Sequence, residues 1–199
     1  MTCLTKLTSC SSPAIPHIDI FAILPWSHTI ATFSPRLSVR STNNEDDKKK
    51  VADAHNEYVR TFQSDPVHIW AYSDGSLCKD NTGQQSAGAS WAGYYNTHEA
   101  FHGSKPLGPQ MEIYDAEATA INAVLSTTIA YAMEHNITHI HIFADNQATV
   151  QTAFDIMPGS SQHTNLHTHS LIIAFLESLN QHHIEIAWAP GHKNIVGNE

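Results

Sequence analysis

The stretch YDAEATAINAVLSTTIAYAMEHNITHIHIFADNQA, residues 114–148, decides the fold. In its first part Ile121, Val124, Leu125 and Ile129, then Ala132 and Met133, recur at helical spacing. That pattern predicts a long amphipathic helix, with Asp115 as its N-cap. THIHIFA (138–144) then reads as a strand, and a second helix is expected from about Asn146 to Asp155. Upstream, VHIWAYS (67–73) is a β-rich run ending at Asp74-Gly75, SAGASWAGYYN (86–96) is a second strand and HEAFHG (98–103) a shorter third. Downstream, PGSS (158–161) breaks the helix, another follows through LHTHSLIIAFLESL (166–179), and HHIEIAWA (182–189) is a fifth strand. Strands, helix, strand, helices and a last strand make an α/β layer fold, a mixed five-stranded sheet flanked by helices.

Residues 1–65 read differently. They are rich in Ser, Thr and Pro, and STNNEDDKKK (41–50) is a solvated charge block. The expectation is a linker-like, largely irregular extension with a possible helix near 46–62, followed by one domain over 66–199.

Composition narrows the function. An apolar fraction of 41% over 199 residues is enough for a real core. No apolar run approaches the ~18 residues that span a bilayer, and no signal peptide is read. Cys3, Cys10 and Cys78 are scattered without a CxxC pair, which speaks against a disulfide framework and suits a reducing, intracellular setting, nuclear or cytoplasmic. The formal net charge is −9, and from Ser64 onward three basic residues stand against thirteen acidic ones, a net of −10. A protein that grips nucleic acid alone shows a basic face, because phosphate neutralisation supplies much of the affinity. This chain has none.

Three carboxylates stand out against that background. Asp74 and Asp145 each close a strand, and ligands of open α/β sheets gather beyond the carboxyl ends of parallel strands. Glu117 lies in the first turn of the long helix, four residues before Ile121 and on its apolar face, so it should point at the sheet. Singly, each has an ordinary explanation: Asp before Gly is a turn former, and an early helix Glu complements the dipole. Together they form a set whose mutual repulsion a hard divalent cation with oxygen ligands would relieve. Two-metal sites of that kind serve in-line phosphoryl displacement.

YSDGS (72–76), the AE of YDAEATAI (114–121), FADNQA (143–148) and WAPGHKNIVGNE (188–199) together resemble ribonuclease H type 1, notably the domain carried in non-LTR retrotransposon polyproteins. The resemblance covers about residues 66–199, and the order of strands and helices agrees with it. It implies Mg²⁺- or Mn²⁺-dependent endonucleolytic cleavage of the RNA strand of an RNA–DNA hybrid, with two ions. It assigns Asp74, Glu117 and Asp145 as metal-binding carboxylates, Asp145 bridging, and His192 as the loop histidine that protonates the leaving group or releases product. Gly75, Ser76 and Asn146 would lie against the hybrid, with RNA told from DNA through the 2′-hydroxyl across a wide minor groove. The acidic balance implies a domain presented with its substrate by a linked or associated reverse transcriptase.

The resemblance also sets a departure. In that family the GNE segment is followed, three positions after its Glu, by a fourth metal-binding Asp and a final helix. Here Glu199 is the last residue, so a truncated, weakened site is expected. The alternative is a catalytically inactive remnant or a nucleic-acid-binding module, and an unrelated structural α/β domain is the third reading. Fifteen histidines raise the question of zinc, but His163, His167 and His169 have no Cys or acidic fourth ligand nearby, and none is expected. His139 and His141 are read as partly buried partners of sheet neighbours. Trp70, Trp91 and Trp188 are read as core.

Overall fold

The computed structural model describes residues 30–40, 48–79, 81, 83–153 and 159–191. His192 and the rest of the GNE segment lie outside the described residues, as does the end of the second expected helix. The strands are β1 (Leu37–Arg40), β2 (His68–Lys79), β3 (Gln85–Tyr95), β4 (His98–Gly108), β5 (His139–Ala144) and β6 (His183–Trp188). The helices are α1 (Lys48–Arg60), α2 (Ile113–His135), α3 (Gln147–Thr152) and α4 (Gln162–Ser178). One six-stranded sheet runs β1-β6-β5-β2-β3-β4. The first four of these are mutually parallel, and β3 and β4 add an antiparallel meander.

The sheet therefore has six strands, not the five expected. The sixth is β1, drawn from the segment read as irregular linker, and it pairs with β6 from Leu37↔Ile184 to Arg40↔Ala187. LSVR is too short and too polar to announce a strand by periodicity; it is one because β6 offers it an open edge. The expected helix near 46–62 is α1.

Two cores lie on opposite faces. In β5, Ile140, Ile142 and Ala144 point to α2 and α4, where Ile121, Val124, Leu125, Ile172, Phe175 and Leu176 meet them. His141 and Phe143 point the other way, under α1, so the strand is buried on both faces, as the interior strand of a parallel sheet must be. The second core joins Ala52 and Val59 of α1, and Phe62 in the turn after it, to Trp70, Tyr72, Phe143, Ala187 and Ala189.

Residues 30–40 and 48–60 cover the β6 edge and the face beside it. Phe33, just before β1, enters the first core. The Arg36 guanidinium donates to the carbonyls of Leu176 at 2.8 Å and Leu179 at 3.0 Å, satisfying carbonyls that the end of α4 leaves without helical partners. Beyond the edge, one buried carboxylate collects donors from three elements: Glu185 of β6 is bonded by Arg40 of β1, by the Tyr58 hydroxyl of α1 at 2.7 Å and by His141 of β5 at 2.7 Å. Burial alone would raise the Glu185 carboxyl, but His141, Tyr58 and the Arg40 charge hold it down at about 2.

Local differences have local causes. α2 starts earlier than expected: Glu112 is its N-cap, and Asp115 sits three residues on, accepting from the Glu112 backbone N–H at 3.2 Å in a capping box. Met133 faces water at 51% exposure, whereas Ile121, Val124, Leu125 and Ala132 are buried. β4 runs to Gly108 rather than ending at Gly103. β2 passes through Asp74 and Gly75 to Lys79, because β3 continues to pair with it.

Candidate active site

Asp74 marks the point where β2 loses one neighbour. Its parallel pairing with β5 ends at Ser73↔Ala144, while the antiparallel ladder with β3 runs on to Lys79↔Gln85. Asp74 and Asp145 thus directly follow paired positions on adjacent strands. Glu117 is brought to them by a close helix–strand contact at Gly75. A Cβ built on Gly75 would lie 2.5 Å from the Glu117 backbone N, so only glycine lets α2 descend this far onto β2. Its nearest neighbour is the helix backbone, a packing reason for the glycine that the sequence reading did not include.

The result is a cluster: one carboxylate oxygen each from Asp74, Glu117 and Asp145, all within 4.8 Å of one another. Among the described residues no other group of three or more His, Cys, Asp or Glu converges this way. Glu117 is 4% exposed, and its Oε2 has no hydrogen-bond partner in the protein. Burial, and then the charges of Asp145 and Asp74, push its carboxyl up to about 8, against a weaker opposing hydrogen bond from the Gly75 backbone. A buried carboxylate oxygen without a donor, beside two further carboxylates, fits a hard divalent cation, which takes oxygen ligands of this type.

The raised Glu117 pKa carries a pH prediction for the metal-free protein. Between about 4.5 and 8 the folded state holds a proton that the unfolded state has released, so stability contributed by this group is full at acid pH and lost as pH rises through 8. In urea melts without divalent ions, the parent should lose stability between pH 5.5 and roughly 8.5, and Glu117→Gln should flatten that slope. Parallel profiles for the two proteins would refute it.

Three further residues support Asp145 and carried no sequence signal of doing so. The Trp188 indole donates to the Asp145 carbonyl at 2.8 Å, and the Ala189 N–H donates to the Ala144 carbonyl at 2.9 Å. A Cβ on Gly191 would stand 2.3 Å from Asp145 Oδ2, so the turn after β6 is pressed against this carboxylate. Trp188, read as core, is half-buried and tied to the site instead. His192 follows Gly191 directly in sequence.

The other candidate residues fall as follows. Asn146 is the N-cap of α3, its side-chain oxygen accepting from the Thr149 N–H at 3.2 Å. Ser76 is exposed on β2, with its hydroxyl 3.5 Å from the Gly88 carbonyl, in a shallow trough of about 300 Å³ that Ser90, Ser104 and Lys105 also line. The histidines of β5 are sheet partners as expected: His141 bonds Glu185, and His139 stacks between His68 and His183. His167 bonds Asn122 of α2.

The family model described as RNase H matches residues 66–199. None of the curated proteins matches the chain. Among solved structures, it is similar to RNase H1 of the halophilic archaeon Halobacterium salinarum at 16% identity, over 62% of this chain and 86% of that one, with a TM-score of 0.44. LC11-RNase H1, isolated from compost by a metagenomic approach and solved with an RNA/DNA hybrid, is 14% identical over 65% of this chain and 90% of that one, with a TM-score of 0.47. The protease–reverse transcriptase of prototype foamy virus is 18% identical over 66% of this chain and 18% of that one, with a TM-score of 0.46. The matched stretch holds β2 to β6 and all three clustered carboxylates, and the chain belongs to the RNase H family.

Proposed function

We propose that this chain is an endonuclease that hydrolyses the RNA strand of RNA–DNA hybrids, using Mg²⁺ or Mn²⁺ held by Asp74, Glu117 and Asp145. The observation that carries the reading is the convergence of these three carboxylates, with Glu117 buried and one of its oxygens lacking a donor. Two divalent ions bound there would stabilise charge on the phosphoryl group in flight and lower the pKa of the attacking water.

The protein's own groups do the rest. Glu117 must give up its proton before it can act as a ligand, because burial and its acidic neighbours favour the protonated form at neutral pH. Gly191 and Trp188 hold Asp145 from the carboxylate and carbonyl sides, so the side chain has little room to swing away. His192 would pass a proton to the oxygen that leaves as the P–O bond breaks. The exposed Ser76 hydroxyl would face the hybrid, reading the 2′-hydroxyl that separates RNA from DNA. Gly75, expected beside it, is buried against the α2 backbone and serves the helix contact instead. Asn146 would touch the strand from the first turn of α3.

A net charge of −9 leaves little general attraction for a polyanion. That supports a retroelement-derived domain to which a linked or associated reverse transcriptase delivers the hybrid. No helix among the described residues is long and apolar enough to cross a membrane.

The test is cleavage of a hybrid labelled on its RNA strand, with Mg²⁺ or Mn²⁺, against the same sequence as duplex DNA and as single-stranded RNA. Metal-dependent cuts confined to the RNA of the hybrid are expected. A folded chain that binds the hybrid without cutting it would instead be a binding module, and the nuclease reading would fall.

A further inference from the structure

The helix α1 lies outside the stretch that matches the family, yet it sits directly beneath the strands that carry the clustered aspartates. His55, 8% exposed, is its deepest polar side chain there. Its Nε2 is 2.9 Å from the Tyr72 hydroxyl, and its ring meets the Phe143 ring edge-on at 4.5 Å. Tyr72 and Phe143 are paired in register on β2 and β5, with ring centroids 5.3 Å apart. Each stands two residues before an aspartate of the cluster, Asp74 and Asp145. Two residues along a strand is one repeat of the pleat, roughly 7 Å, and returns to the same face. The three rings thus form a closed set one step behind the two carboxylates.

We propose that His55 is a positioning residue for the site: by bonding Tyr72 and packing on Phe143 it clamps β2 and β5 together just before Asp74 and Asp145. Its effect on catalysis rests on the nuclease reading; its effect on strand order does not. Burial and the nearby Arg40 charge keep the imidazole neutral, its pKa pushed down to about 4, so at neutral pH it holds Tyr72 without adding charge behind the cluster. Neither Tyr72 nor Phe143 can be fixed from the opposite face, where Ile69, Ala71, Ile142 and Ala144 belong to the other core. Unlike Tyr58 and Arg40, which fasten the extension to Glu185, His55 reaches the strands of the aspartates themselves.

The test separates positioning from plain stability. His55→Phe keeps a ring against Phe143 and loses the bond to Tyr72; Tyr72→Phe removes the same bond from the other partner; His55→Gln keeps a group able to bond Tyr72. Tyr58→Phe, which loosens α1 at Glu185 only, is the control. In the full-length chain, His55→Phe and Tyr72→Phe should speed amide exchange at Tyr72–Gly75 and at Phe143–Ala144 on the order of tenfold, leaving the amides of β3 unchanged. kcat on the hybrid should fall on the order of tenfold with KM unchanged, and His55→Gln should recover most of it. Tyr58→Phe should alter neither. Unchanged exchange at these amides, or a uniform rise across the whole sheet, overturns the proposal. A parent protein that cuts no hybrid defeats the nuclease reading while the exchange result still decides the role of His55, and Tyr72→Phe settles it if His55→Phe does not fold.

Discussion

Asp145→Asn is expected to abolish hybrid cleavage, by at least ~10³-fold, without loss of the fold. Asparagine keeps the shape of the side chain but removes one of three carboxylates whose oxygens lie within 4.8 Å of one another. In the metal-free protein this relieves repulsion: the Asp145 charge is the largest contribution after burial to the raised Glu117 pKa. The variant should therefore fold at least as stably as the parent in the absence of divalent ions. With the ions present the order reverses. A cation that binds only the folded state raises its stability with concentration, and the loss of an anionic ligand removes much of that gain. The checks are an RNA-strand cleavage assay and the shift of the melting midpoint with added Mg²⁺. A loss of 10³ in rate corresponds to about 4 kcal/mol of transition-state stabilisation. Cleavage within tenfold of the parent, or an undiminished Mg²⁺ shift, would sink the assignment.

Much of the site was legible because its carriers obey simple periods. Asp74 and Asp145 follow apolar runs that could only be strands, and parallel pairing of those runs puts their ends side by side. Glu117 sits one helical turn before Ile121, so the face that buries Ile121 also buries Glu117. The supports of Asp145 were not legible. A tryptophan at the end of a strand reads as core, and nothing local says that its indole will meet a backbone carbonyl. A glycine in a Pro-Gly turn reads as turn chemistry, whereas Gly191 is also needed small because a carboxylate lies against it. Gly75 is similar: the constraint comes from a helix that begins 38 residues later, at Ile113. The second core escaped for another reason. His183 and Glu185 alternate with Ile184 and Ile186, and a strand patterned in this way reads as half solvent-facing. Here the polar face is covered by partners, Arg40 and Tyr58, whose own stretches carry no strong periodic signal.

That covered face sets the other large expectation: the family-matched stretch alone, residues 66–199, should fail to unfold as a cooperative unit. Deleting residues 1–65 strips Phe33 from one core and Ala52, Val59 and Phe62 from the other. Burying a side chain such as Val or Phe contributes about 1.5–3 kcal/mol, so the lost burial is on the order of 5–10 kcal/mol, comparable to the whole stability of a domain. Glu185 would keep His141 and exchange Arg40 and Tyr58 for water, so the apolar loss dominates. Trp70, Tyr72 and Phe143 would face water together, a patch that invites aggregation. Denaturant melts followed by tryptophan fluorescence should show one steep transition for the full chain and a shallow or absent one for the fragment. A milder variant isolates the same contact. Phe62, 6% exposed, stacks on His141 at 4.1 Å, and Phe62→Ala in the full chain should cost about 3–5 kcal/mol. If the fragment melts as steeply and at the same denaturant concentration as the full chain, then α1 and β1 are passengers, and the sheet carries its second face without them.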